Sequence, residues 1–393
     1  MIETQLTASV RPGRILFLIN SLAGGGAERV MIALLDGSRD RFADTPFSLA
    51  LLDDDPDAYA PAPWLPVHRL ATGGSLLRGV KQVRALVRRE RPDLIVSFLT
   101  RANVIAATVG WLESIPTIIS ERVNTSAHLA GRRAAISRLL VRLSYRRAHR
   151  VIAVSQGVGD DLVANFGVSR DRVRAIPNPV DVAAIARIGA APMPLEVGAP
   201  FFVAVGRLAE TKNMMLLVQA YAEAAIGAHL VILGEGPERA RLQAEIERLG
   251  VADRVMLAGF AANPFAVVGR ARGYVSASNG EGFPNALVEA MALARPVLVT
   301  NCASGPSEIL ADRRLEDVGG PLDTPYGRLV PTNDRAALAQ GLRWLDGQDD
   351  AGLLGMGAAG TKRAEEFGVD TAVRRYWQVF DEVAMPAPGH RND

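Results

Sequence analysis

The chain of 393 residues holds one cysteine, Cys302, so no internal disulfide can form; this suits a reducing compartment. Lysine is almost missing too: of 44 basic residues only Lys81, Lys212 and Lys362 are lysines. The five histidines show no ligand spacing, so no metal site is expected. The N-terminus lacks a basic region followed by an apolar run and a small-residue cleavage site, and no signal peptide is expected. The best apolar window, 94–119, is broken by Arg101 and Glu113; it reads as buried core rather than a membrane span. With 49% hydrophobic and 22% charged residues, what remains is an ordinary globular protein long enough for two domains.

Net charge is only +2, but it is unevenly spread. Residues 1–190 carry 25 Arg/Lys against 17 Asp/Glu, and the remainder 19 against 25. Residues 129–150 hold Arg132, Arg133, Arg138, Arg142, Arg146, Arg147 and Arg150 without an acid, while Ile136, Leu139, Leu140 and Leu143 recur at helical spacing. A second basic stretch runs over 78–91. The first segment reads as a basic amphipathic helix. An anionic membrane surface and plain solvent are equal readings of what it faces. No nucleic-acid partner is expected.

Strand-like apolar runs at 14–20, 46–52, 94–98, 116–120, 150–154 and 173–176 alternate with helical patterns, which predicts a parallel, doubly wound sheet. A second series falls at 201–206, 229–233, 254–258, 273–276, 297–300 and 327–330. Residues 182–200, with Pro192, Pro194 and Pro200, read as a linker. This predicts an N-terminal Rossmann-like domain over 1–181 and a second over 201–369. Helices are expected at 334–346, 351–366 and 370–384, and a frayed tail from Pro386.

Three stretches carry chemistry. In Ser278–Met291, Glu281 precedes a helix predicted over 285–294, Pro284 suits its first position, and Glu289 lies inside it. The amides over 284–287 make an anion site at the helix start, and the carboxylates accept hydroxyls. At the end of the strand opening the second half, Gly206-Arg207-Leu208-Ala209-Glu210-Thr211-Lys212-Asn213 places an arginine and a scarce lysine five residues apart, able to converge on one diphosphate. Between the first strand and helix, Gly24-Gly25-Gly26-Ala27-Glu28 lets backbone approach a phosphate or sugar. It is not a dinucleotide fingerprint, because position 29 is Arg29.

Glu281 to Glu289, with the flanking G-F-P-N-A-L-V-E-A-M, resembles the E-x7-E signature of GT-B glycosyltransferases, specifically the large retaining family 4. Gly206–Asn213 resembles that family's G-R-L-x-x-x-K-G/N motif, and Gly25–Glu28 its G-G-A-E loop. Weaker matches follow in order: Val231–Pro237, Val255–Phe260 with Asn263, Ala153–Gln156, Asn178–Asp181 and Ser304–Glu308. The resemblance implies a GT-B fold, two Rossmann-like doubly wound domains facing across a cleft, with the last helix, 370–385, crossing back to the N-terminal domain. It implies Arg207, Lys212 and Glu281 as catalytic residues. Donor contacts would come from Gly25, Gly26, Gly206, Gly234, Phe283, Pro284, Asn285, Ala286, Leu287 and Glu289. Many members place a histidine after the fifth strand; here Glu121, Arg122 and Asn124 stand there, and with Glu28 they are expected to face the sugar or acceptor.

The implied activity is retaining, metal-independent transfer of a hexose or N-acetylhexosamine from a UDP-sugar, the nucleotide sugar being a substrate and no cofactor being required. The implied acceptor is a glycan, lipid-linked through polyprenyl diphosphate, in bacterial surface polysaccharide synthesis. The implied location is the cytoplasm or the inner face of its membrane. GDP-mannose is the alternative donor. A GT-B epimerase would be expected to need added acid/base groups and lacks the G-R-L-x-x-x-K match. A Rossmann oxidoreductase would use Asp53–Asp55 as its ribose acid but wants a third glycine. A glycan-binding module would not need paired phosphate-binding cations.

Overall fold

The computed structural model describes residues 13–129, 134–198 and 200–384. Arg132, Arg133, the expected tail and residue 385 of the last helix lie outside them. The described residues form two units. One comprises residues up to Val154, Val158–Pro179 and those from Val369 onward; the other comprises Ser155–Gly157 and Val180–Gly368.

The first unit is built on β1 (Ile15–Ile19), β2 (Phe47–Leu51), β3 (Val67–Arg69), β4 (Leu94–Phe98), β5 (Thr117–Glu121), β6 (Arg150–Ala153) and β7 (Val173–Ala175). They lie in the order β3-β2-β1-β4-β5-β6-β7, and every pairing is parallel. Strands β1, β2, β4 and β5 are buried along their whole length, as a parallel sheet covered on both faces requires. One face packs against helix Gly26–Gly37 and the last helix, Val369–Ala384, through Leu34, Tyr376, Trp377 and Phe380. The other packs against helices Leu76–Glu90 and Thr100–Glu113 through Val83, Leu86, Ile105 and Val109. The Trp377 indole donates to Ser38 Oγ at 2.9 Å, tying the last helix to the first.

The second unit holds β8 (Phe201–Val205), β9 (His229–Leu233), β10 (Val255–Gly259), β11 (Gly273–Ser276), β12 (Val297–Asn301), β13 (Leu322–Thr324) and β14 (Gly327–Pro331). The order is β10-β9-β8-β11-β12-β14-β13, parallel except for the β13–β14 hairpin. Each sheet reverses its strand order once, at β1/β4 and at β8/β11. Loops leaving the carboxyl ends there splay apart and open a crevice for a ligand.

The expected linker is corrected in part. Val182–Gly189 is a helix, capped by Asp181, whose carboxylate accepts the Ala184 amide at 2.8 Å. It packs into the second unit so closely that a Cβ on Gly189 would stand 2.7 Å from Leu293 Cδ2. Val180 already belongs there, donating its amide to the Phe367 carbonyl at 2.8 Å. Strands β3 and β13 were not expected: each is three residues long and neither is buried throughout. Among the described residues no helix is long and apolar enough to cross a membrane.

Candidate functional site

The switch point of the second unit gathers the residues of two of the three motifs. Leaving β8, the chain runs through Gly206 and Arg207 into the short 3-10 turn Glu210–Lys212, and Asn213 at φ +46 redirects it into helix Met214–Ala224. Leaving β11, it runs through Ser278–Pro284 into helix Asn285–Ala292. The two loops are joined: the Asn279 amide donates to Thr211 O at 2.8 Å, and Lys212 Nζ donates to Glu281 Oε1 at 2.6 Å. The Lys212 stem lies over Gly206, where a Cβ would stand 3.5 Å from three of its methylenes.

Glu281 is held from behind. Thr300 Oγ1 donates to the Ser278 carbonyl at 2.7 Å, and Ser304 Oγ donates to the carbonyl of Glu281 itself. Gly305, at φ +98, packs its Cα where a Cβ would lie 2.4 Å from Pro284 Cδ, so a glycine is needed. The Lys212 and Glu281 side chains remain 28% and 12% exposed, open enough for a ligand to reach. Arg207 is exposed and makes no ion pair among the described residues. The pair is close to neutral by itself, so Arg207 supplies the uncompensated positive charge.

Glu281 makes itself felt behind the site. Burial first, and the Glu281 charge second, push the Cys302 thiol up to about 12. Burial raises the Tyr274 phenol in the same way, and both Glu281 and Glu289 add to the shift.

The donor residues are placed with two corrections. Pro284 stands at the N-cap rather than at the first helical position, and the helix runs Asn285–Ala292 rather than over 285–294. The expected amide cluster is narrower: Pro284 has no N–H, and the Leu287 amide is taken by the Pro284 carbonyl at 3.0 Å. Phe283 is buried edge-on to Phe367, with centroids 5.5 Å apart. Gly234, at φ +140, is required by packing, since a Cβ would lie 2.0 Å from the Gly206 carbonyl. In the first unit Gly25 caps the exposed start of helix Gly26–Gly37. The Glu28 carboxylate folds back over it, where a Cβ on Gly25 would meet Oε2 at 2.3 Å.

The acceptor residues after β5 are a larger correction. Glu121 and Arg122 are buried, and most of their polar atoms are hydrogen-bonded. Glu121 accepts from the Tyr145 hydroxyl, from the Arg122 amide at 3.0 Å and from Thr100 Oγ1 at 3.2 Å. Burial raises its carboxyl above the usual range despite these donors. Arg122 donates to Tyr376 OH at 2.7 Å, to Ser120 Oγ at 3.2 Å and to Asn178 Oδ1, over the Phe98 ring. Asn124 caps helix Thr125–His128, accepting the Ala127 amide at 2.9 Å. Glu121 and Arg122, being buried, brace β5 and do not present themselves to a sugar.

A different polar cluster stands at the β1/β4 switch point, which the sequence reading missed. Asp53, after β2, accepts from Thr72 Oγ1 at 2.9 Å, from the Gly74 amide at 3.2 Å and from Arg101. Arg101 also donates to Asn20 Oδ1 at 3.4 Å. Burial pushes Asp53 upward, but the Arg101, Gly74 and Thr72 hydrogen bonds together hold it below the usual value. The signal available was position: Asn20 and Arg101 follow the two strands at the reversal point, and Asp53 follows the neighbouring β2. Among the described residues no three His, Cys, Asp or Glu side chains are grouped to hold a metal ion.

Comparison with known proteins agrees with this arrangement. The family model Glycosyltransferase Family 4 matches residues 24–184, and the model Glycosyl transferases group 1 matches residues 199–346. The N-acetylgalactosamine-N,N'-diacetylbacillosaminyl-diphospho-undecaprenol 4-alpha-N-acetylgalactosaminyltransferase of Campylobacter jejuni is 28% identical over 340 residues, covering 83% of this chain and 88% of that protein. The lipopolysaccharide 1,6-galactosyltransferase of Escherichia coli is 30% identical over 180 residues, 44% of this chain and 48% of that protein. HepE of Anabaena, solved with UDP, superposes with a TM-score of 0.75 at 22% identity, over 94% of this chain and 100% of that one. The fold is GT-B, and the chain belongs to the family 4 glycosyltransferases.

Proposed function

We propose that the protein moves a hexose or N-acetylhexosamine from a UDP-sugar to a lipid-linked glycan, with retention at the anomeric carbon, in bacterial surface polysaccharide synthesis. The observation that carries this reading is the Lys212–Glu281 pair at the β8/β11 switch point with Arg207 free beside it. Lys212 has three N–H donors, so one can stay on Glu281 while another takes a phosphate oxygen. Arg207 offers a planar fork to the same diphosphate. Together they supply, at the leaving group, the charge that a divalent ion supplies in other transferases, so we propose a metal-independent reaction.

In this mechanism the bond from the anomeric carbon to the phosphate oxygen breaks as the acceptor oxygen bonds to the same face. The acceptor proton passes to the departing phosphate. Arg207, Lys212 and the start of helix Asn285–Ala292 meet the charge that develops there, Glu281 binds a sugar hydroxyl, and Glu289 binds the ribose. The Campylobacter jejuni relative is named for a diphospho-undecaprenol acceptor and the Escherichia coli relative for lipopolysaccharide, which favours a lipid-linked acceptor. UDP is preferred over GDP because the superposable HepE structures hold UDP and UDP-glucose.

Calorimetry with UDP, GDP, ADP and NAD, on wild type and on Lys212→Ala, tests this. We expect UDP to bind and to weaken in the variant. Binding of GDP alone would move the donor to a GDP-sugar, and binding of NAD or of nothing would overturn the reading.

A further inference from the structure

The amino ends of three strands in the second sheet border a cleft of about 390 Å³. Pro200, Arg272 and Pro296 on its wall stand directly before β8, β11 and β12. Glu281 follows the other end of β11, so the cleft lies across the sheet from the Lys212–Glu281 pair. Helix Asp350–Glu365 lines another side with Asp350 and Leu353.

Three arginines meet there: Arg270, Arg272 and Arg295. Each is fixed by backbone carbonyls. Arg270 Nη1 donates to Ala266 O at 2.8 Å and to Gly189 O at 3.2 Å. Arg272 Nη2 donates to Asp346 O at 3.1 Å and to Gln348 O. Arg295 donates from Nε to Leu293 O and from Nη1 to Ala271 O, both at 3.0 Å. A guanidinium has more N–H donors than these bonds use. Arg272 Nε is buried without a hydrogen bond, and Asp346 Oδ1 stands 3.9 Å from it.

Capping of helix ends accounts for the carbonyl bonds but not for the convergence of three cations on one space. Among the described residues Asp350 is the one acid in the lining, so the wall carries a surplus of positive charge. Burial pushes the Arg295 guanidinium below its usual value, as it does to a cation with no anion facing it. Pro200, Pro296 and Leu353 make the remaining wall apolar. Small-molecule sites are built this way, apolar with a few fixed polar groups, at about 300 to 1,000 Å³.

We propose that the cleft binds a small phosphomonoester, its phosphate on Arg270, Arg272 and Arg295 and its apolar body against Pro200, Pro296 and Leu353. Pre-positioned guanidinium forks match phosphate oxygens, and a body beside the phosphate covers the apolar wall. The proposal does not rest on the transferase reading, since the cleft shares no residue with the Arg207–Lys212 site.

Calorimetry of phenyl phosphate with the full chain, with and without UDP, tests it. One molecule should bind per chain in the presence of UDP, and phenol should not bind. Arg270→Gln should weaken phenyl phosphate by about tenfold, the loss expected for a hydrogen bond to a charged group. Asp350→Asn should tighten it by about threefold, since that acid repels the phosphate. Both positions are exposed, so both variants should keep the wild-type circular dichroism and UDP affinity. No binding, or an affinity that Arg270→Gln leaves unchanged, overturns the proposal. Binding abolished by UDP overturns it as well, by placing the probe at the diphosphate site, and so does phenol binding as tightly as phenyl phosphate. Should Arg270→Gln fail to fold, Asp350→Asn carries the test, and an unchanged affinity there overturns the proposal too.

Discussion

The two sheets share one topology and place charged residues at the carboxyl ends of their strands, yet the charges meet opposite fates. At the end of β5, Glu121 and Arg122 are sealed from solvent and hydrogen-bonded to neighbouring hydroxyls, an amide and Asn178. After β8 and β11, Arg207, Lys212 and Glu281 stay accessible, with a single ion pair among them. A buried charge surrounded by partners is part of the scaffold, because losing it leaves those partners unsatisfied. An accessible cation held in place by one carboxylate retains donors for a ligand. Charge at a strand end therefore marks a site only when its hydrogen-bonding capacity is not already filled.

The strongest way to break that distinction is Lys212→Ala. Turnover of the nucleotide sugar should fall by about a hundredfold or more, with the melting temperature almost unchanged. Activity within about tenfold of wild type would remove Lys212 from the transition state.

Arg122→Leu should do the reverse. It strands Tyr376, Asn178 and Ser120 and should cost about 3 kcal/mol in a denaturant titration, while UDP affinity of the folded fraction is kept. Weakened UDP binding at full stability would return Arg122 to the site.

Glu121→Gln sharpens the comparison through pH. Burial raises the folded pKa above the ordinary 4.5, so the folded state holds its proton more tightly than the unfolded chain does. The stabilisation this brings is complete below that ordinary value and is lost as pH rises through the folded pKa. The stability gap between wild type and Glu121→Gln should therefore move in favour of the variant as pH climbs from acid to neutral. A pH-independent gap would show that the carboxyl is not shifted.

The smallest effect is expected from Asn124→Ala. Losing the cap on helix Thr125–His128 should cost about 1 kcal/mol and leave transfer kinetics unchanged. A fall in kcat/KM larger than the fall in stability would make it an acceptor contact.

The long apolar runs foretold the central strands of both sheets, because a strand buried on both faces must be apolar throughout. Val67–Arg69 and Leu322–Thr324 carry no such run and close the sheet edges only because a neighbour offers its backbone. Helix Val182–Gly189 was hidden by the prolines that follow it, although Asp181 and its apolar residues were signals of a capped helix. Arg101 was read only as an interruption of an apolar window. Its pairing with Asp53 joins residues 48 apart in the chain, which no local pattern discloses.

By itself the sequence determined the alternation of strands and helices, the two-part organisation and the motif that pairs Glu281 with Glu289, since each rests on local spacing. Tertiary structure alone decided which charges were available. Burial and hydrogen bonding depend on residues distant in the chain: Tyr376 and Asn178 hold Arg122, while Glu281, 69 residues away, holds Lys212 at the surface. It also decided that the apolar stripe from Ile136 to Leu143 faces outward, because Val141, Ser144 and Tyr145 occupy the inner face of that helix.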